Sequence, residues 1–109
     1  MTERIRLVQG DTRPFIRLIL KDADGQVINV ANAIVRIKFR ASGTSTNLFI
    51  LTCLKPNGGG DGVVVFNFPV DSLNIEPGPY EAEVEIDYGS KDIQTVYDLL
   101  KFSIRAQFN

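Results

Sequence analysis

From Tyr80 to Tyr88 the side chains alternate without a fault, Tyr80, Ala82, Val84, Ile86 and Tyr88 against Glu81, Glu83, Glu85 and Asp87. Successive side chains on a strand point to opposite faces, whereas a helix places its apolar residues three and four apart. The segment therefore reads as a half-buried strand with one apolar face and one carboxylate face. The same period recurs elsewhere. In Ile34–Arg40, Val35, Ile37 and Phe39 oppose Arg36, Lys38 and Arg40, and Ile16, Leu18 and Leu20 form the inner face of Phe15–Lys21. No segment of helical period and useful length competes. Many short alternating runs separated by turn residues are the pattern of a sandwich or barrel.

The remaining segments fit that frame. Arg4–Val8 reads as a first strand, broken by Gly10-Asp11-Thr12-Arg13-Pro14. Asp22-Ala23-Asp24-Gly25 is a turn with glycine placed for positive φ, followed by a short extended piece at Val27–Val30. Asn47–Leu54 is apolar on both faces, which predicts cover on both sides. Val63–Phe68 is a strand that Pro69 stops, since proline has no N–H for the ladder. Asp71-Ser72-Leu73 can start a single helical turn, and Pro-Gly in Glu76-Pro77-Gly78-Pro79 suits the centre of a type II turn. Ile93–Tyr97 and Leu100–Phe108 complete the set. The expectation is one domain over residues 1–109, an immunoglobulin-like antiparallel β-sandwich of seven to eight strands.

Composition narrows the chemistry. The chain has no His and one cysteine, Cys53. Without His, Ser-His-Asp and Cys-His catalysis and Cys/His zinc sites cannot be assembled from this chain. Cys53 has no intramolecular partner, and its apolar setting predicts a buried, inert thiol. Twelve Lys and Arg against thirteen Asp and Glu leave a net charge of −1, unlike the basic excess of nucleic-acid binders. No apolar run reaches the ~20 residues that span a bilayer. The first residues carry no leader-like apolar stretch, so synthesis in a cytoplasm is expected.

Four features invite a functional reading. The carboxylate row Glu81, Glu83, Glu85 and Asp87 has the residue type for glycoside hydrolysis or a hard cation. Basic rows at Arg36, Lys38 and Arg40, and at Lys101 and Arg105, offer the simpler reading of cross-strand charge pairing. On that reading, reversing Glu83 destabilises mildly and reversing its basic neighbour as well restores the loss. Asp22-x-Asp24-Gly25 resembles part of a calcium loop, but turn chemistry accounts for it without an ion. Gly58–Gly62 lacks the Lys-Ser/Thr and helix of a phosphate loop; it is either a mobile hairpin connection or an exposed binding loop. Tyr80 and Tyr88 fall on an apolar face and belong to the core, whereas Tyr97 is compatible with core or surface. No residue is assigned a catalytic, cofactor-binding or metal-ligating role.

Three stretches, in order, resemble a known family. They are Gln9-Gly10-Asp11-Thr12-Arg13-Pro14 before an alternating strand, Lys21-Asp22-Ala23-Asp24-Gly25-Gln26 with Val30–Val35 after it, and Glu76-Pro77-Gly78-Pro79-Tyr80-Glu81-Ala82-Glu83-Val84 before a strand ending near Phe102. This order, spanning roughly Val8 to Phe108, resembles the N-terminal domain of phage baseplate upper proteins and related small tail or neck proteins of tailed phages. The resemblance implies a non-enzymatic structural virion protein with no cofactor and no catalytic residues to carry over. Its implied partners are other phage structural proteins and further copies of itself, with no nucleic acid and no membrane insertion. Baseplate upper proteins usually continue into a C-terminal region, so the resemblance implies either a small stand-alone virion protein or one domain of a longer one. A small binding module for carbohydrate or a host-surface ligand is the alternative.

Overall fold

The alternating segments pair into two sheets. The computed structural model describes residues 4–96 and 99–108, which form eight strands and no helix. The strands are β1 (Ile5–Val8), β2 (Phe15–Ile19), β3 (Ile34–Ala41), β4 (Phe49–Thr52), β5 (Val63–Asn67), β6 (Gly78–Asp87), β7 (Ile93–Thr95) and β8 (Leu100–Arg105). The larger sheet has the order β1-β8-β6-β3-β4, with β7 also paired to β6; the smaller sheet is β2-β5. The chain is an all-β sandwich. All pairings are antiparallel except β1–β8, which run parallel from Ile5↔Phe102 to Val8↔Arg105.

The core forms where the apolar faces meet. Val35, Ile37 and Phe39 of β3 and Tyr80, Ala82, Val84 and Ile86 of β6 are buried, as are Phe102 and Ile104 of β8. The smaller sheet and its flanks supply Leu20, Val64, Phe66 and Phe68. Phe39 sits among aromatic neighbours, with ring centroids 4.6 Å from Phe49, 5.0 Å from Phe102 and 5.5 Å from Tyr80. Each such ring pair contributes about 0.5–1.5 kcal/mol beyond the area it buries.

The longest ladder is β3–β6, in register from Ile34↔Asp87 to Ala41↔Tyr80. It forms because both strands carry an unbroken apolar row on the same face. At the start of β6 the Tyr80 hydroxyl donates to the Glu76 carbonyl at 2.5 Å. A tyrosine bonded back to the backbone a few residues upstream is a corner device of immunoglobulin-type sandwiches. Burial, with the nearby Glu76 charge, raises the Tyr80 pKa. The β2→β3 and β5→β6 connections both pass from the smaller sheet to the larger.

Several local expectations are corrected. Only one face of β4 is covered: Leu51 is buried, while Leu48 and Ile50 are about half exposed. The reason is the face, because Ile50 pairs with Lys38 on the outer side of the larger sheet, while Leu51 pairs with buried Ile37 on the inner side. Asp71–Leu73 is a turn and not a helical one, since Asp71 has φ 70° and its carboxylate accepts from the Asn74 amide. Gly78 has φ 147°, far from the +80° of a type II turn, and it is already paired to Ile104 as the first residue of β6. The last strand stops at Arg105, leaving Phe108 exposed.

β7 and β8 share one side of β6. Between Glu85↔Thr95 and Ala82↔Leu100, β6 advances three residues while the returning chain advances five.

Candidate functional site

The carboxylate row lies on the outer face of the larger sheet, flanked by basic strands as expected. In register Arg36 faces Glu85, Lys38 faces Glu83 and Arg40 faces Glu81. The ion pairs partly follow the diagonals. Arg36 bonds Asp87 at 3.0 Å and reaches Glu85 at 3.5 Å; Lys38 leans to Glu85 at 2.6 Å, and Arg40 bonds Glu81 at 3.0 Å. Glu83 makes no ion pair among the described residues, so it is the wrong position at which to test the pairing. Lys101 stands opposite Glu81 in register, but Arg40 takes that carboxylate. Arg105 bonds the Ala106 carbonyl and stacks over Phe108 at 5.3 Å.

Asp87 is held below the usual carboxylate range, first by the Gly89 N–H at 2.8 Å and then by Arg36. The same contact with Asp87, with Glu85 nearby, raises the Arg36 pKa against a desolvation that lowers it. Glu81, Glu85 and Asp87 are thus occupied by cations and backbone. They lie on an outer sheet face, and none of them lines the clefts beside the Asp22 turn, along β1 and β8 or along β2. The arrangement favours β6 as the neighbour of β3, since a second basic strand there would set like charges together, and a one-residue slip would turn a charged row into the core.

The other candidates resolve as structure. One Asp22 carboxylate oxygen accepts from the N–H groups of Asp24 and Gln26, both at 2.9 Å, and Gly25 takes φ 82° to close the turn. The glycine loop is packed rather than loose. Gly59 accepts from the Val30 N–H, and Gly62 from Leu20. The Lys55 ammonium caps the carbonyls of Val30, Ala31 and Ala33 at 3.2, 3.3 and 2.7 Å. Asp61 accepts from the Val63 N–H and the Asn57 amide, which hold it below the usual carboxylate range.

Tyr80 is in the core; Tyr88 is half-buried and donates to Gln94. Tyr97 lies outside the described residues. Cys53 is buried, and desolvation pushes its thiol up to about 12.

A different surface was not legible in the sequence. The outer face of β2 shows Phe15 at 65% and Ile19 at 48% exposure, and Leu54 at 67% stands beside Val65 of β5 through an isolated bridge. Ile50 of β4 and Leu48 just before it are similarly open. The available signal was Phe15-Ile16-Arg17-Leu18-Ile19, apolar on both faces in a short strand. Two clefts border these strands. One, of about 520 Å³, is lined by Lys21, Asp22, Asp24, Ile28, Gln94 and Thr95. The other, of about 250 Å³, lies along β2 and is more apolar, with Leu18, Leu20, Val84, Val96 and Leu100 among its walls.

No protein-family model and no curated protein matches this chain.

Proposed function

We propose that the protein is a non-enzymatic assembly part of a tailed-phage virion, docking in the tail, baseplate or neck. The observation that carries the assembly reading is where the exposed apolar residues lie. Phe15, Ile19, Leu48, Ile50 and Leu54 sit on or beside strands at sheet edges, and open edges with apolar faces are docking surfaces for other chains. Three of the four carboxylates of the row, Glu81, Glu85 and Asp87, are engaged by Arg40, Lys38 and Arg36. The virion itself is supported by the order of the Gly-Asp-Thr, Asp-x-Asp-Gly and Pro-Gly-x-Tyr segments.

The test is mass spectrometry of purified particles from the source or its induced prophage, with immunogold labelling viewed by electron microscopy. Peptides of this chain together with label at a tail tip, baseplate or neck support the proposal. Intact particles with neither overturn it. The 520 Å³ cleft between the Asp22 turn and β7 favours a second reading, a binding module for a small polar ligand such as a carbohydrate. Saturation-transfer NMR with a panel of oligosaccharides tests it, and contacts mapping to Gln94 and Thr95 would support it.

A further inference from the structure

Among the described residues four strands, β1, β2, β4 and β7, border a sheet with one side open, while the Leu54–Val65 bridge covers β5. Three of these edges specify no partner. β7 (Ile93-Gln94-Thr95) and β4 (Phe49-Ile50-Leu51-Thr52) carry no charge. β2 carries one cation, Arg17, whose charge already acts on Asp61. β1 differs. Arg4 and Arg6 are exposed there, and Lys101, Ser103 and Arg105 are the exposed residues of its neighbour β8. The register sets Ser103 beside Arg6 and Arg105 beside Val8; one step back, Lys101 falls beside Arg4.

None of these four cations makes an ion pair among the described residues. Arg4 donates to the Phe102 carbonyl at 3.0 Å and Arg105 to that of Ala106 at 2.9 Å. Glu81, opposite Lys101, is held by Arg40. Cations on an edge strand are a common defence against stray pairing, but Lys101 and Arg105 lie one strand inside, where they defend no edge. Like charges set side by side cost stability, so this half of the outer face holds repulsion that nothing in the described chain relieves. The backbone of the edge is free as well. The Gln9 N–H donates to the Arg105 carbonyl, so alternate residues Ile5 and Leu7 also turn to β8, and Arg6 presents its N–H and C=O outward.

We infer that the β1 edge accepts an acidic, amphipathic strand of another protein. Its carboxylates stand opposite Arg4 and Arg6, within the field of Lys101 and Arg105, and its apolar side chains continue the inner row of Ile5 and Leu7. Charge complementarity selects this occupant. The fold already contains one such match, since basic β3 takes as its neighbour β6, whose carboxylates alternate with apolar residues. A second copy is a poor occupant. Its β1 would set arginine against arginine, and its own acidic strand, β6, is paired on both sides. A net charge of −1 gives a nucleic acid no general attraction, and an outward N–H and C=O are satisfied by a strand. The inference rests on the assembly reading for the partner being a protein, yet it is tested on the isolated chain without particles, so either can fail alone.

The probe is a fluorescent peptide of alternating glutamate and valine, titrated with the purified chain and followed by anisotropy. Saturable binding at low salt is expected, weakening as salt rises, with amide NMR shifts at Arg6, Val8, Ser103 and Arg105. Arg6→Gln and Arg105→Gln are each expected to weaken binding about two- to fivefold. Arg6→Gln is expected to keep the melting temperature, because it removes a like-charged neighbour, and Arg17→Gln on β2 to bind as the parent does. Absence of binding at low salt overturns the inference, as do shifts confined to β2, β4 or β7, or unchanged affinity in both β1 and β8 variants. A peptide with the same residues in two blocks that binds equally well shows charge attraction without strand addition and also overturns it. Duplex DNA that binds more tightly than the peptide at equal salt assigns the patch to nucleic acid instead. A dimer in light scattering that Arg6→Gln dissociates assigns it to a second copy, and either result overturns the acidic strand.

Discussion

The charged face illustrates how register and side-chain reach divide the work at the residue scale. The backbone sets Lys38 opposite Glu83, but its ammonium lies on Glu85 at 2.6 Å. A double-mutant cycle on Lys38 and Glu85 is therefore expected to give a coupling of about 0.2–1 kcal/mol, as for partly exposed pairs generally. The cycle on Lys38 and Glu83 is expected near zero. Urea unfolding of the four variants of each cycle measures both, and equal couplings would contradict the diagonal geometry. The sequence made the two complementary rows legible because alternation alone assigns their faces. The diagonal was not legible, since it depends on side-chain length and strand twist rather than on spacing. Cys53 was legible for a simpler reason: a small apolar-flanked thiol is buried wherever its strand packs.

Among the elements, amphipathic strands were read almost residue by residue, and uniformly apolar ones were not. β6 and β3 each declare an inside and an outside, and the structure keeps both. β2 declares its inner face, Ile16, Leu18 and Leu20, and the structure keeps it, but β4 declares neither; cover on the second face depends on whether another element lies there, which is decided by sheet order. The parallel β1–β8 pairing is non-local for the same reason. The glycine loop was misread because its packing comes from distant backbone. A Cβ on Gly59 would lie 2.8 Å from the Lys55 chain and 3.0 Å from the Val30 carbonyl group, at φ +94°. Gly60 has nothing within 4 Å and no positive φ. Gly59→Ala is thus expected to cost more than about 1 kcal/mol, and Gly60→Ala to be neutral or slightly stabilising. Melting temperatures of the two variants decide it, and equal values would show that the loop yields freely.

For the whole molecule, the lowered carboxylates make folding sensitive to acid. Asp61 and Asp87 both bind protons less readily in the fold than in the unfolded chain, where aspartate titrates near ~3.9. Their contribution is fully present above that value and is lost as pH falls through the lower folded values. Melting temperature followed from neutral pH to about pH 2 is expected to drop in that window. Asp87→Asn is expected to flatten the drop, and an unchanged profile would place the acid sensitivity in other groups. With no His in the chain, the histidine range contributes nothing to this profile.

The parallel seam between β1 and β8 also has a mechanical meaning. The chain enters β1 at one end of the ladder and leaves β8 at the other, with pairs from Ile5↔Phe102 to Val8↔Arg105 between. Tension applied between those two points runs along the strands, so it loads the rungs in shear, all together, instead of peeling them one after another.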